Sequence, residues 1–225
     1  MVQIRAANAE KSEKTQEKKR EILAAASKVF RARGLHAAGM RDIAAELGMA
    51  VGNLYYYFQD KEDLLAFVQE STLTGLLSLA ERVKALEAPA DRKLFLQAAG
   101  HVVLLNEGTP GSLAHLEVEA LGEARRRPIQ ARRDEYERSF RRLLDEGVAA
   151  GVFRPLDTKV AAFAILGAVS WTVKWFRPGG GKSAREIAGE TAGLLVRGVL
   201  AGEAGEASSL EDLEALLPLI GPEEI

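Results

Sequence analysis

The chain has 225 residues, 47% of them hydrophobic, and a formal net charge of −2, which suits one large folded domain or a small domain joined to a larger one. There is no cysteine, so disulfides and thiolate chemistry are excluded. No apolar run approaches the ~20 residues needed to cross a bilayer, and Met1 to Lys19 is polar and charged rather than a secretory leader. The expectation is a cytoplasmic protein with no membrane partner.

Charge is unevenly spread. Residues 1–61 carry eleven Lys and Arg against seven Asp and Glu, whereas the remainder carries nineteen against twenty-five. Glu203 to Ile225 has seven acids and no base. This pattern predicts a basic N-terminal module that meets an anion, joined to an acidic body that does not.

In chain order, residues 1–15 read as a flexible polar arm. Gln16–Arg33 is an amphipathic helix, with Ile22, Ala25, Ala26, Val29 and Phe30 at three- and four-residue spacing. Gly34 ends it. Short helices follow at Met40–Leu47, stopped by Gly48, and at Val51–Phe58. A long helix runs from Lys61 to about Glu87, closed by Ala88-Pro89. Further helices are expected near Ala90–Glu107, Ser112–Ala124, Pro128–Gly147, Asp157–Phe176 and Ser183–Leu200, with Gly- and Pro-rich breaks between them. Asp157 and Ser183 stand where N-caps belong, and Ser183 with Glu186 has capping-box spacing. A last short helix, Leu210–Leu217, falls in the acidic tail, residues 203–225. No β-branched alternation appears, so the expected fold class is all-α. A three-helix helix-turn-helix domain spans residues 16–61, followed by a larger helical domain over 62–202.

The most informative segment is MRDIAAELGMAVGNLYYYFQDKEDLL, Met40 to Leu65. Ile43, Ala44, Leu47, Val51 and Leu54 are spaced to pack its two short helices together and onto the first. Ala44 and Ala45 are small enough for a tight crossing, and Gly48 can take the positive φ of a sharp turn. Such a unit offers its second helix to the DNA major groove. Leu54 and Phe58 fall in register with the apolar face. Three consecutive tyrosines, Tyr55 to Tyr57, span too many directions for all to be buried.

With its preceding helix this segment, Gln16 to Leu65, resembles the TetR family of regulators. The resemblance implies a homodimer that binds a palindromic double-stranded operator. The N-terminal domain would read DNA, and the C-terminal domain would bind a small-molecule effector and dimerise. It assigns Arg41 to a phosphate contact and places Asn53, Tyr55 and Tyr56 on the recognition helix. It gives Tyr57 and Lys61 a grip on phosphates. A tyrosine hydroxyl and a lysine ammonium are suitable donors for that task. Where similar proteins often begin the second helix with Ser or Thr, Ala38-Gly39-Met40 offers no side-chain oxygen as a cap.

A narrower resemblance covers Arg133 to Asp157 and Ile165 to Ala188, which are similar to the TetR subgroup that senses acyl-CoA thioesters. It implies repression of fatty-acid or related acyl catabolism, relieved by an acyl-CoA. Trp171, Lys174, Trp175, Arg177 and Arg133 are its candidate ligand residues, since CoA needs cations for phosphates and an aromatic face for adenine. Guanidinium groups suit phosphate, and eight arginines lie between Arg125 and Arg142. The helix Asp157–Phe176 is apolar on nearly all sides, and Ser183–Leu200 is rich in Ala and Gly; together they are the expected dimer interface. The alternative is a regulator of an efflux pump that senses a cationic drug, for which Glu107, Glu117 and Glu119 are available. No enzyme signature appears and no cofactor is expected. Gly179-Gly180-Gly181-Lys182-Ser183 lacks the GxxxxGK[ST] spacing and a preceding strand, which leaves it as a linker.

Overall fold

The computed structural model describes residues 2–35, 37–108 and 115–202. The expected Leu210–Leu217 helix and the acidic tail lie outside the described residues. Eight α-helices appear among them: α1 (Val2–Arg33), α2 (Met40–Glu46), α3 (Val51–Tyr57), α4 (Lys61–Lys84), α5 (Ala90–Val103), α6 (Glu123–Ala149), α7 (Thr158–Trp175) and α8 (Ala184–Arg197). The protein is all-α. Its only β geometry among the described residues is an isolated bridge between Phe153 and Leu200. No helix among the described residues is long and apolar enough to cross a membrane.

Two compact units divide the chain. One comprises residues 1–69 and 110–126, the other 70–109 and 127–225. The first unit takes in a second, later stretch of chain.

In the first unit, α1 buries Ile22, Leu23, Ala25, Ala26, Val29 and Phe30, the face its periodicity marks out. The helix extends back to Val2, so residues 2–15, expected as an arm, continue it. That stretch is rich in Ala, Glu and Lys and lacks Gly and Pro, so local propensity carries the helix without an apolar stripe. Ile43, Ala44, Leu54 and Phe58 complete this core, each at most 2% exposed. Ala45, expected at the same crossing, is exposed. Gly34 at φ +79° and Gly48 at φ +62° make the turns that a Cβ would disfavour.

In the second unit, α5 is buried on every side from Leu94 to Val103, packed by α7 and α8. Helix α8 turns Ala184, Ala188, Ala192 and Val196 inward, a small-residue row at four-residue spacing that permits close approach. Ser183 Oγ accepts the Glu186 N–H at 3.2 Å, while Glu186 accepts the Ser183 N–H at 2.8 Å. Asp157 Oδ1 likewise accepts the N–H groups of Lys159 and Val160 at 3.0 and 3.1 Å. Both N-caps stand where the sequence placed them.

Helix boundaries also differ from expectation between residues 104 and 128. Helix α5 ends at Val103 in a π-helical turn, Leu104–Gly108. There the Asn106 Nδ2 donates to Val102 O at 2.8 Å, a side-chain bond to a carbonyl of the preceding turn. The expected Ser112–Ala124 helix is replaced, where described, by a 3-10 turn at Val118–Ala120, and α6 begins at Glu123. Pro128 lies inside α6 rather than starting it. It costs one backbone hydrogen bond near the helix start.

Candidate nucleic-acid interface

Helices α2 and α3 owe their relation to buried side chains on one face and leave polar groups on the other. Leu54 is fully buried, while Asn53 and Gly52 beside it are exposed. Tyr55 is 48% and Tyr56 74% exposed, which is unusual for large aromatic groups, and Tyr57 is half-buried. Tyr56 and Tyr57 meet edge to face with centroids 5.0 Å apart. The exposed face of α3 therefore carries Asn53, Tyr55 and Tyr56. These are amide and phenol groups able to meet base edges, with rings suited to thymine methyls.

Behind this face the corner is held firmly. Phe58 packs edge to face on Phe67 at 5.4 Å. The Lys19 Nζ sits 5.2 and 4.7 Å from the centroids of those two rings, a cation–π clamp from α1. Arg41 is exposed in the first turn of α2. Gly39 N–H donates to Asp42 Oδ2 at 2.9 Å, and Arg33 pairs with the same carboxylate. Half of a capping box thus compensates for the missing Ser or Thr.

Lys61 opens α4 and is half-buried. Its ammonium donates to Leu35 O, and burial lowers its pKa from the usual lysine range. A cleft of about 300 Å³ beside it is lined by Leu35, Lys61, Glu62, Leu65 and Ala120. The later stretch of chain in this unit is seated there. Gly122 N–H donates to Glu62 Oε1 at 2.9 Å, and Arg125 reaches Asp60 at 3.1 and 3.4 Å. The sequence reading missed these partners, since they stand some sixty positions from the motif.

The candidate ligand residues fall in the second unit and in two settings. Trp171 and Trp175 are 57% and 48% exposed near the end of α7, with Lys174 Nζ 5.9 Å from the Trp171 ring centroid. Arg177 donates to the carbonyls of Lys174 and Phe176, both at 3.0 Å, where a cation suits a helix C-terminus. Arg133 belongs instead to the interior. It is half-buried on α6, and burial lowers its pKa.

That interior holds a polar network the sequence reading did not identify. Buried His101 on α5 has Nδ1 3.1 Å from the Tyr136 hydroxyl and Nε2 3.2 Å from Ser170 Oγ. Burial, helped by the charge of Arg133, pushes the His101 pKa down to about 3, and burial raises that of Tyr136. Asn106 donates to Thr172 Oγ1 at 2.9 Å, and Gln97 to Ser139 Oγ at 2.6 Å. Glu137 pairs with Arg141 through one carboxylate oxygen, while the other is buried without a hydrogen-bond partner. Apart from Arg133 and this pair, the network is one of neutral donors and acceptors in an apolar core.

Known proteins match both halves of the chain. Residues 22–68 match the family model for bacterial regulatory proteins of the tetR family, and residues 89–199 match that for a tetracyclin repressor-like C-terminal domain. The HTH-type transcriptional repressor KstR2 of Mycolicibacterium smegmatis is 27% identical over 183 residues, covering 80% of this chain and 89% of that protein. The TetR family transcriptional regulator PfmR from Thermus thermophilus has a crystal structure that superposes with a TM-score of 0.71. It is 31% identical over 78% of this chain and 97% of that one. The crystal structure of AibR with isovaleryl coenzyme A and operator DNA superposes with a TM-score of 0.68. It is 28% identical over 79% of this chain and 97% of that one. With the helix-turn-helix geometry and matches spanning both units, the chain belongs to the TetR family of DNA-binding transcription regulators.

Proposed function

We propose that the protein is a repressor that binds a palindromic operator as a homodimer and is released by an acyl-CoA. The observation that carries the DNA half is the exposed Asn53–Tyr55–Tyr56 face of a helix whose opposite side is fully buried. Arg41 and Tyr57 supply the phosphate contacts with Lys61, and two such helices read half-sites about one helical turn apart.

The dimer reading rests on α7. Val160, Phe163, Trp171 and Trp175 are all exposed large apolar groups, and Ala164, Gly167 and Ala168 are exposed between them. Their three- and four-residue spacing makes one stripe along the helix. Leu194 on α8, 67% exposed, adds to the apolar surface. A soluble monomer rarely leaves such a face to water, and a second copy of the same helices is the natural cover.

For the effector, similarity to AibR, whose structure contains isovaleryl coenzyme A, supports an acyl-CoA. Its cationic and aromatic groups would come from Arg133, Trp171, Lys174, Trp175 and Arg177. The network of His101, Asn106, Ser170 and Thr172 would face the polar part of the acyl group. The cationic-drug alternative draws on the half-partnered Glu137 carboxylate. Calorimetry against acetyl-, octanoyl-, palmitoyl- and phenylacetyl-CoA and free CoA, paired with operator binding, tests the choice. Binding of one thioester at micromolar or better, with loss of operator affinity, supports the acyl-CoA reading. No heat with any of them overturns it and favours the drug sensor.

A further inference from the structure

The corner that follows the recognition helix has an adverse composition for a DNA-binding surface. Gln59 to Leu65 carries three carboxylates, Asp60, Glu62 and Asp63, around the single cation Lys61. Unmasked carboxylates beside a phosphate-gripping lysine repel the backbone and compete for its ammonium.

The protein brings a guanidinium from elsewhere in the chain to this corner. Arg125 Nη1 lies 3.1 Å from Asp60 Oδ1 and 3.5 Å from Glu62 Oε2. Glu62 also accepts the Gly122 N–H at 2.9 Å. Leu121, 3% exposed, anchors the stretch next to Gly122, and Arg126 is taken up by Glu119 at 2.7 Å, leaving Arg125 to serve both corner carboxylates. Asp60 meanwhile caps α4, accepting the Asp63 N–H at 2.6 Å, and Asp63 accepts the Gln59 N–H at 3.0 Å.

We propose that Arg125 is a DNA-affinity residue that touches no DNA: it neutralises and holds Asp60 and Glu62, so that Lys61 meets a phosphate with two of its three neighbouring carboxylates compensated. This rests on the reading of Lys61 as a phosphate contact. Surface ion pairs contribute little to folding stability, so the role of Arg125 shows in DNA affinity rather than in melting temperature.

The test measures binding of the full-length protein to a random-sequence duplex and to an operator selected from a duplex pool, between about 50 and about 300 mM salt. Arg125→Ala is expected to weaken both by about three- to tenfold at low salt, with the gap closing as salt screens the carboxylates. Arg125→Lys keeps the charge and retains most of the affinity. Adding Asp60→Asn and Glu62→Gln to Arg125→Ala restores binding, because Asn still caps α4 and the repulsion is gone. Melting temperatures and helicity should match across the set. Unchanged low-salt affinity in Arg125→Ala overturns the inference. So does a triple variant that melts normally yet binds no better than Arg125→Ala. Failure of the unaltered protein to bind any duplex would instead strike the DNA-binding reading itself.

Discussion

His101 and Tyr136 stack with ring centroids 5.6 Å apart, and the His101 Nδ1 lies 3.1 Å from the phenol oxygen. The histidine is buried, flanked on its other nitrogen by Ser170, and stays neutral in the folded protein down to about pH 3. An unfolded histidine takes up its proton near pH 6.5. The folded pKa is the lower one, so the unfolded state binds more protons in between. Stability is therefore full above about pH 6.5 and falls as pH drops toward 3, by up to about 1.4 kcal/mol per pH unit from this group. His101→Gln should flatten urea-denaturation stability across that window. A variant with the unaltered slope would assign the acid sensitivity to other groups.

Lys61→Ala should weaken binding on every duplex and reduce the slope of log affinity against log salt by about one unit. The slope measured with random-sequence and selected duplexes alike checks this. Loss confined to the selected operator would show Lys61 reading sequence rather than phosphate.

Tyr55 and Tyr56 are exposed enough for removal to leave the core intact. Tyr55→Ala is expected to shift folding stability by no more than about 0.5 kcal/mol. It should change the operator consensus at one or two positions, at about 1–3 kcal/mol each. Selection from a random duplex pool, compared with the unaltered protein, decides it. Identical consensus sequences would remove Tyr55 from the readout.

Phe163→Glu on α7 and Leu194→Glu on α8 place charges on the exposed apolar surface. Each should weaken self-association by about thirtyfold or more while leaving helicity unchanged, since neither side chain is buried within its own chain. Light scattering across concentration measures the shift. A dimer of unaltered strength in both variants would place the seam elsewhere.

Gly147 in α6 stands against Phe153: a Cβ there would lie 2.0 Å from the ring Cδ2 and 2.2 Å from Cε2. Gly147→Ala should destabilise the second unit by about 1–3 kcal/mol. Phe153→Leu in the same chain should recover part of that loss. Chemical denaturation of the three variants measures it, and an additive effect of the two substitutions would deny the contact.

What could be read from sequence was local. Ile43, Ala44, Leu54 and Phe58 announce themselves by spacing within one short segment, as do the caps at Asp157 and Ser183 and the turn at Gly48. The residues that escaped notice are joined across distance. Arg125 and Asp60 are far apart in the chain, and His101, Tyr136 and Ser170 come from three helices. The polar start of α1 was missed because a helix without an apolar stripe shows no periodicity. The start of α6 was hidden by Pro128, which reads as a boundary. The apolar circumference of α7 was plain, but composition does not say which part of it the chain's own core covers. Structure divides it into a face with Ala162, Ile165 and Val169 inside and a face with Phe163 and Trp171 outside.

The first unit is assembled from two separate stretches, residues 1–69 and 110–126. During synthesis, then, the helix-turn-helix emerges well before the stretch that supplies Gly122 and Arg125. Its corner at Asp60 and Glu62 waits for residues 70–109 to be made and the intervening loop to close. An N-terminal fragment ending at Gln69 would hold the recognition helix but not these partners. Under the role proposed for Arg125, weaker DNA binding by such a fragment would report a missing piece of its own surface, not a missing second copy alone.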